Sequence, residues 1–212
     1  DGRPVHVPPS AVRYTTRRHL EREVAIVEWA TSPNAGQHRA VNIDEELLDG
    51  LDDGQVAAVV AMLSDPRPVI TVVGPAGAGK TTMLAAAVTS WHRAGISVFG
   101  VGPSATAARQ LQDGAGTAAD TLHKLVYEYS AKQTAGRGPA DAMWDLPTRS
   151  VVIIDESGMV DTRLLHDYTQ IAQAKQWRTV LVGDHRQLDP VDAGGMFAEL
   201  VGDPDVATVE LD

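Results

Sequence analysis

The chain has 212 residues, 43% hydrophobic and 22% charged, which suits one domain of ordinary size with a full core. It contains no Cys, so a disulfide framework and a Cys-based zinc site are excluded, and no run approaches the ~18 apolar residues of a transmembrane helix. The net charge of −10, from 28 acidic against 18 basic residues, argues against a broadly basic nucleic-acid surface and leaves such a partner only a locally basic groove. Aromatic residues are 5% of the chain, so the expected core is built from Val, Leu, Ile and Ala. The N-terminal DGRPVHVPPS has no signal-peptide pattern, and the chain reads as cytoplasmic.

In chain order, residues 1–14 are Pro-rich and carry no periodicity. A helix is expected from Arg17 to Ala30, capped by Thr15 or Thr16, with Leu20, Val24, Ile26 and Val27 buried and Ser32-Pro33-Asn34-Ala35-Gly36 ending it. Arg17, Arg18 and Arg22 have two readings, a solvated surface or a contact with a nucleic-acid backbone. Asp52 or Asp53 caps a second helix that begins with Gln55 and runs to about Leu63, and Pro66 and Pro68 then break the chain. This gives an N-terminal helical segment over residues 1–45 and a main domain over 46–212.

Val69 to Val73 is a β-branched run of the kind that forms a buried strand. It leads into Gly74-Pro75-Ala76-Gly77-Ala78-Gly79-Lys80-Thr81, which fits G-x-x-x-x-G-K-[ST] at every fixed position, and then into an Ala-rich helix from Met83 to Trp91. The residue types follow from phosphate chemistry. Gly74, Gly77 and Gly79 allow a tight backbone that turns its N–H groups inward, and the helix that follows adds its positive end. Lys80 can reach β- and γ-phosphates, and the Thr81 hydroxyl can ligate Mg²⁺.

Further along, Ser97 to Val101 is a second strand, followed by a helix from Ala105 to Gln112 and another from Thr121 to Val126. Gln133 to Asp141 reads as an exposed loop. Val151 to Ile154 is a third buried strand that ends in Asp155-Glu156, two carboxylates where open α/β sheets bind ligands. Next to a phosphate loop, an Asp there holds Mg²⁺ and a neighbouring Glu orients or deprotonates water. A helix from Thr162 to Gln173, a strand from Trp177 to Val182, the polar cluster Gly183-Asp184-His185-Arg186-Gln187, a short helix from Gly194 and a strand from Ala207 to Leu211 complete the pattern. Strands alternating with helices over short links predict an α/β, mainly parallel, doubly wound sheet with helices on both faces.

The series LDDGQ, GPAGAGKTT, GPSATAARQL, TLHKL, VIIDESGMV and VLVGDHRQLDPVDAGGMF resembles the first RecA-like motor domain of RecD-like superfamily 1 helicases, most of all the helicase part of TraI/TrwC-type conjugative relaxases. The resemblance covers about residues 50–205. It implies a P-loop NTPase fold and an ATP-driven motor acting on single-stranded DNA. It also implies that Gln55 reads adenine and that the segment from Gly74 through Gly77, Ala78, Gly79, Lys80, Thr81 and Thr82 holds the phosphates. Thr81 and Asp155 would hold Mg²⁺, Glu156 would be the catalytic base, and Gln187 would sense the γ-phosphate. Ser104, Thr106 and His123 would lie along the single-stranded DNA path. Where RecD-like proteins often carry Gly-Arg, this chain has Ala105-Thr106, which removes one expected phosphate contact. The resemblance further implies a second RecA-like domain as partner, supplying an arginine finger worth roughly 10³–10⁵ in turnover. The isolated chain is therefore expected to bind Mg-ATP, to hydrolyse it slowly and not to unwind DNA.

Two other classes compete. A kinase-type NTPase needs an Arg-rich lid, and the loop Gln133–Asp141 holds one Arg, Arg137. A catalytically inert nucleotide-binding remnant is the other.

Overall fold

The computed structural model describes residues 15–32, 38–134, 142–184 and 195–211. Six parallel strands form one sheet in the order β3-β2-β4-β5-β1-β6, with β1 Val69–Val73, β2 Val98–Gly102, β3 Ala119–Thr121, β4 Val151–Ile154, β5 Arg178–Gly183 and β6 Ala207–Glu210. Strands β1, β2, β4 and β5 are buried along their whole length. This is why they read as continuous apolar runs rather than as alternating ones. Thr71, the polar residue inside β1, is satisfied by the Ala207 carbonyl and the Thr208 hydroxyl of β6.

Among the described residues seven helices cover the sheet: α1 Arg17–Thr31, α2 Asp53–Ser64, α3 Lys80–Arg93, α4 Ala105–Ala115, α5 Leu122–Thr134, α6 Thr162–Lys175 and α7 Met196–Gly202. Alternate strand residues feed the two layers. Ile70, Val72, Ile153, Val180 and Val182 pack under α2, α3 and α4. Val69, Phe99, Val152, Ile154 and Leu181 pack under α1, α5, α6 and α7.

The close approach of α4 to β2 depends on two glycines. A Cβ on Gly100 would sit 2.7 Å from the Leu111 side chain, and one on Gly102 would sit 2.9 Å from the Ala108 backbone nitrogen.

Three expectations change. The short strand β3 carries no apolar signature, so only the helix that follows it was expected. Its hydrogen-bonded register comes from β2, through Gly100, Val101 and Gly102. The core is also more aromatic than composition implied, because all four Trp residues are buried. Tyr129 stacks edge-on against Trp177 at 5.0 Å and donates to the Trp144 carbonyl at 2.5 Å.

The third change concerns α1. Leu20 and Val24 are about half exposed, whereas Ile26, Trp29 and Ala30 are buried. Only the C-terminal half of α1 meets the core, where Trp29 packs edge-on against Tyr168 of α6 at 6.2 Å. Trp29→Ala is expected to lower stability by about 3–5 kcal/mol, whereas Leu20→Ala changes it by no more than about 0.5 kcal/mol. Urea unfolding of both variants checks this, and two similar midpoints would show that α1 is not part of the cooperative core.

Candidate nucleotide-binding site

Because all six strands run in one direction, their carboxyl ends lie along a single edge of the sheet. The loop 74–79 leaves β1 there, Ser104 follows β2, His123 follows β3, Asp155-Glu156 follows β4 and Asp184 follows β5. Such an edge is where open α/β sheets bind ligands.

The loop after β1 has the conformation its sequence requires. Gly77 and Gly79 adopt positive φ, 86° and 68°, a region that side-chain-bearing residues rarely enter. Gly79 has a second constraint: a Cβ there would lie 2.2 Å from Gln55 Nε2. The first-turn N–H groups of α3, which begins at Lys80, have no partner within the helix. The loop is therefore lined with backbone donors. Lys80 Nζ donates to the Gly74 and Pro75 carbonyls, at 2.7 and 2.9 Å, and so crosses the mouth of the loop. Thr81 and Thr82 are exposed at the start of α3.

Gln55 is a structural member of this site. Its backbone N–H donates to Asp52 Oδ1 at 2.8 Å and its Oε1 accepts from the Asp52 N–H at 3.2 Å, a reciprocal cap on α2. Its Nε2 donates to the Ala78 carbonyl at 3.1 Å, which ties that cap to the phosphate loop. Each amide atom keeps capacity for one further bond.

Asp155 continues β4 and sits half-buried. Its carboxyl is pushed above the usual carboxylate range by burial and by the Glu156 charge, against the opposing pull of the Glu156 N–H and Lys80. The Glu156 N–H donates to Asp155 Oδ1 at 2.9 Å, and Glu156 holds a left-handed φ of 52°. Such a φ is uncommon for a residue with a side chain. Behind them, the amides of Ser157 and Gly158 approach Gly183 so closely that a Cβ there would lie 3.2 Å from both nitrogens.

The donor set fits a magnesium-bound nucleotide. Mg²⁺ prefers one or two protein oxygens, with the rest supplied by phosphates and water. Thr81 at the start of α3 and Asp155, a half-buried carboxylate that feels the Lys80 charge, match that pattern. Among the described residues no group of three or more His, Asp or Glu converges as an all-protein metal site.

The remaining predicted residues divide. Ser104 caps α4, accepting from the Ala107 N–H at 3.2 Å, while Thr106 and His123 are exposed at the carboxyl ends of β2 and β3. Gln187 lies outside the described residues, as do His185 and Arg186. Sequence reading missed Leu211, which follows β6. Its N–H donates to the Val73 carbonyl at 2.7 Å, and a Cβ on Gly74 would meet its side chain at 3.1 Å. The residue braces the base of the phosphate loop, and only the sheet order reveals it.

A parallel sheet with this glycine loop, lysine and half-buried acidic pair along one edge defines a P-loop nucleotide-binding domain. The AAA domain family model matches residues 50–212, and the chain belongs to that family. The conjugal transfer protein TraA of Rhizobium radiobacter is 32% identical over 205 residues, covering 93% of this chain and 18% of TraA. The ATP-dependent RecD2 DNA helicase of Deinococcus radiodurans is 34% identical over 152 residues, covering 72% of this chain and 20% of that protein. The fold matches the Pif1 helicase of Candida albicans with a TM-score of 0.51 at 21% identity, over 76% of this chain and 40% of Pif1. The resemblance to RecD-like proteins and conjugative relaxases is thus borne out. The chain spans about a fifth of the length of the curated relatives it matches. No helix among the described residues is long and apolar enough to cross a membrane.

The raised Asp155 carboxyl has a consequence for stability. Its neutral form is favoured in the fold, so its contribution is full below the ordinary Asp value and is lost as pH rises through the higher folded value. At pH 7 the ionised group therefore costs stability. Asp155→Asn is expected to melt higher than the parent chain at pH 7 without nucleotide, with the gap narrowing as pH falls toward 4. Thermal melts across that range check this, and a lower melting temperature for Asp155→Asn at pH 7 would contradict it.

Proposed function

We propose that this chain is the first RecA-like domain of an ATP-driven motor that translocates on single-stranded DNA, and that it is a segment of a conjugative relaxase-helicase. The observation that carries the reading is the loop of Gly74 to Thr81 placed on the same sheet edge as Asp155 and Glu156. The likeness to TraA along 93% of the chain supports the relaxase source, and that to RecD2 supports the motor class.

Each residue then has a physical task. The loop N–H groups and the amino end of α3 bind the phosphates, and Lys80 exchanges its two carbonyl partners for β- and γ-phosphate oxygens. Thr81 and Asp155 would hold Mg²⁺, which would supply positive charge against the phosphates. Asp155 would gain a cation where its ionised form is otherwise disfavoured. Glu156, turned by its left-handed backbone, orients the attacking water and takes its proton. Gln55 faces the adenine with its spare donor and acceptor, and Gln187 senses the γ-phosphate. Ser104, Thr106 and His123, at the carboxyl ends of β2 and β3, border the DNA path. Contact there is with the backbone and through stacking, so little sequence preference is expected. The second RecA-like domain of the parent chain closes the cleft, with residues 1–45 as a preceding helical segment.

The test compares ATP hydrolysis by this chain with that by a version extended through the next domain, with and without single-stranded DNA. The extended version alone is expected to turn over rapidly, to be accelerated by DNA, and to lose at least about a hundredfold in rate with Lys80→Ala or Glu156→Gln. A DNA-independent rate in both versions would overturn the motor reading. Unwinding by the 212 residues alone would overturn the requirement for a second domain.

A further inference from the structure

A second cavity lies at the opposite edge of the sheet, at the amino ends of the strands. Its volume is about 580 Å³, within the range of small-molecule sites. His38, Arg39, Arg149 and Arg178 line it, with Trp91 and Val151 among its apolar residues. On a chain of net charge −10 this is a concentrated positive field.

Arg178 is the decisive residue. It opens β5, is only 2% exposed, and among the described residues its Nε and Nη2 have no hydrogen-bond partner. These two nitrogens form one edge of the guanidinium, the fork that matches two oxygens of a carboxylate or phosphate. A buried guanidinium edge without partners is costly, so it points to a ligand. The carboxylate whose charge Arg178 feels is already committed. Asp65 attracts Arg178 at a distance, but its oxygens accept from Arg67 Nε, at 3.0 and 3.1 Å, and from Arg67 Nη2 at 2.6 Å. At the rim Asp44 is likewise paired with Arg93.

We propose that this cavity binds a phosphate-bearing small molecule, with the side edge of Arg178 gripping two phosphate oxygens. Phosphate is preferred over a carboxylate because three cations converge. Among the described residues neither Arg39 nor Arg149 forms an ion pair, so together with Arg178 they suit a dianion. Arg149 is held at a left-handed φ of 64°, its N–H donating to the Lys175 carbonyl at 3.0 Å. His38 adds independent support. Its Nε2 is buried without a partner, and burial first, then the charges of Arg178 and Arg149, hold the ring down to about 4. The apolar lining leaves room for a small organic body.

The phosphate loop would itself bind phosphate, so the test is made on Lys80→Ala protein and read locally, at the His38 imidazole resonances. Inorganic phosphate and glycerol phosphate are titrated at constant ionic strength, with NaCl as control. A saturable His38 shift with either ligand is expected. Tighter binding of glycerol phosphate would identify an organic phosphate, and equal binding the phosphate group alone. Arg178→Met should weaken the response more than about tenfold. Arg149→Ala, on the exposed rim, should weaken it about threefold and guards against misfolding of the first variant. A shift reproduced by NaCl, or one untouched by both substitutions, would overturn the proposal without bearing on the motor reading.

Discussion

Everything at the nucleotide edge depends on the parallel pairing of β1 between β5 and β6. A parallel ladder places each strand's carboxyl end on the same side, so the residues that follow β1, β2, β3 and β4 lie along one edge without any long excursion of the chain. The position of β1 is fixed by ladders on both flanks, by the Thr71 hydroxyl bonded across to β6, and by the Leu211 amide on the Val73 carbonyl. The phosphate loop therefore starts from a strand with little freedom. Its own shape can then be set by two glycines and by Lys80.

The loop is also held from above. Gln55 joins the amino cap of α2 to Ala78, and Gly79 leaves space for that amide. Lys80 rests on two loop carbonyls, so its charge is already satisfied and must change partners when phosphate arrives. Asp155 is in the opposite position: a half-buried carboxylate whose ionised form is disfavoured until a cation joins it. The two charged groups of the site thus begin from unequal states, one satisfied and one strained.

Much of this was legible in the sequence, and for definite reasons. The spacing from Gly74 to Thr81 behind a β-branched run admits few structures, and Asp155-Glu156 after a four-residue apolar strand is nearly as restrictive. Where legibility failed, the missing information was tertiary. Ala119-Asp120-Thr121 has no strand pattern of its own and pairs only because β2 is adjacent. Leu20 and Val24 have helical spacing, but α1 meets α6 through its other half. Arg178 falls within the expected strand WRTVLV, and nothing there announces that its side chain would be buried at the wall of a cavity. Leu211 was read as strand, while its contact with Gly74 required the position of β6 at the sheet's edge.

Gly100 and Gly102 bring α4 onto β2 at a separation that no side chain could share. Contact at that range leaves no compressible layer, because backbone and side-chain atoms already touch where flexible groups would otherwise yield. Helix and strand therefore behave as a single plank. Any displacement felt at Thr106 is carried into the sheet undamped, and adjustment between this plank and its neighbours is left to the connecting turns at its two ends.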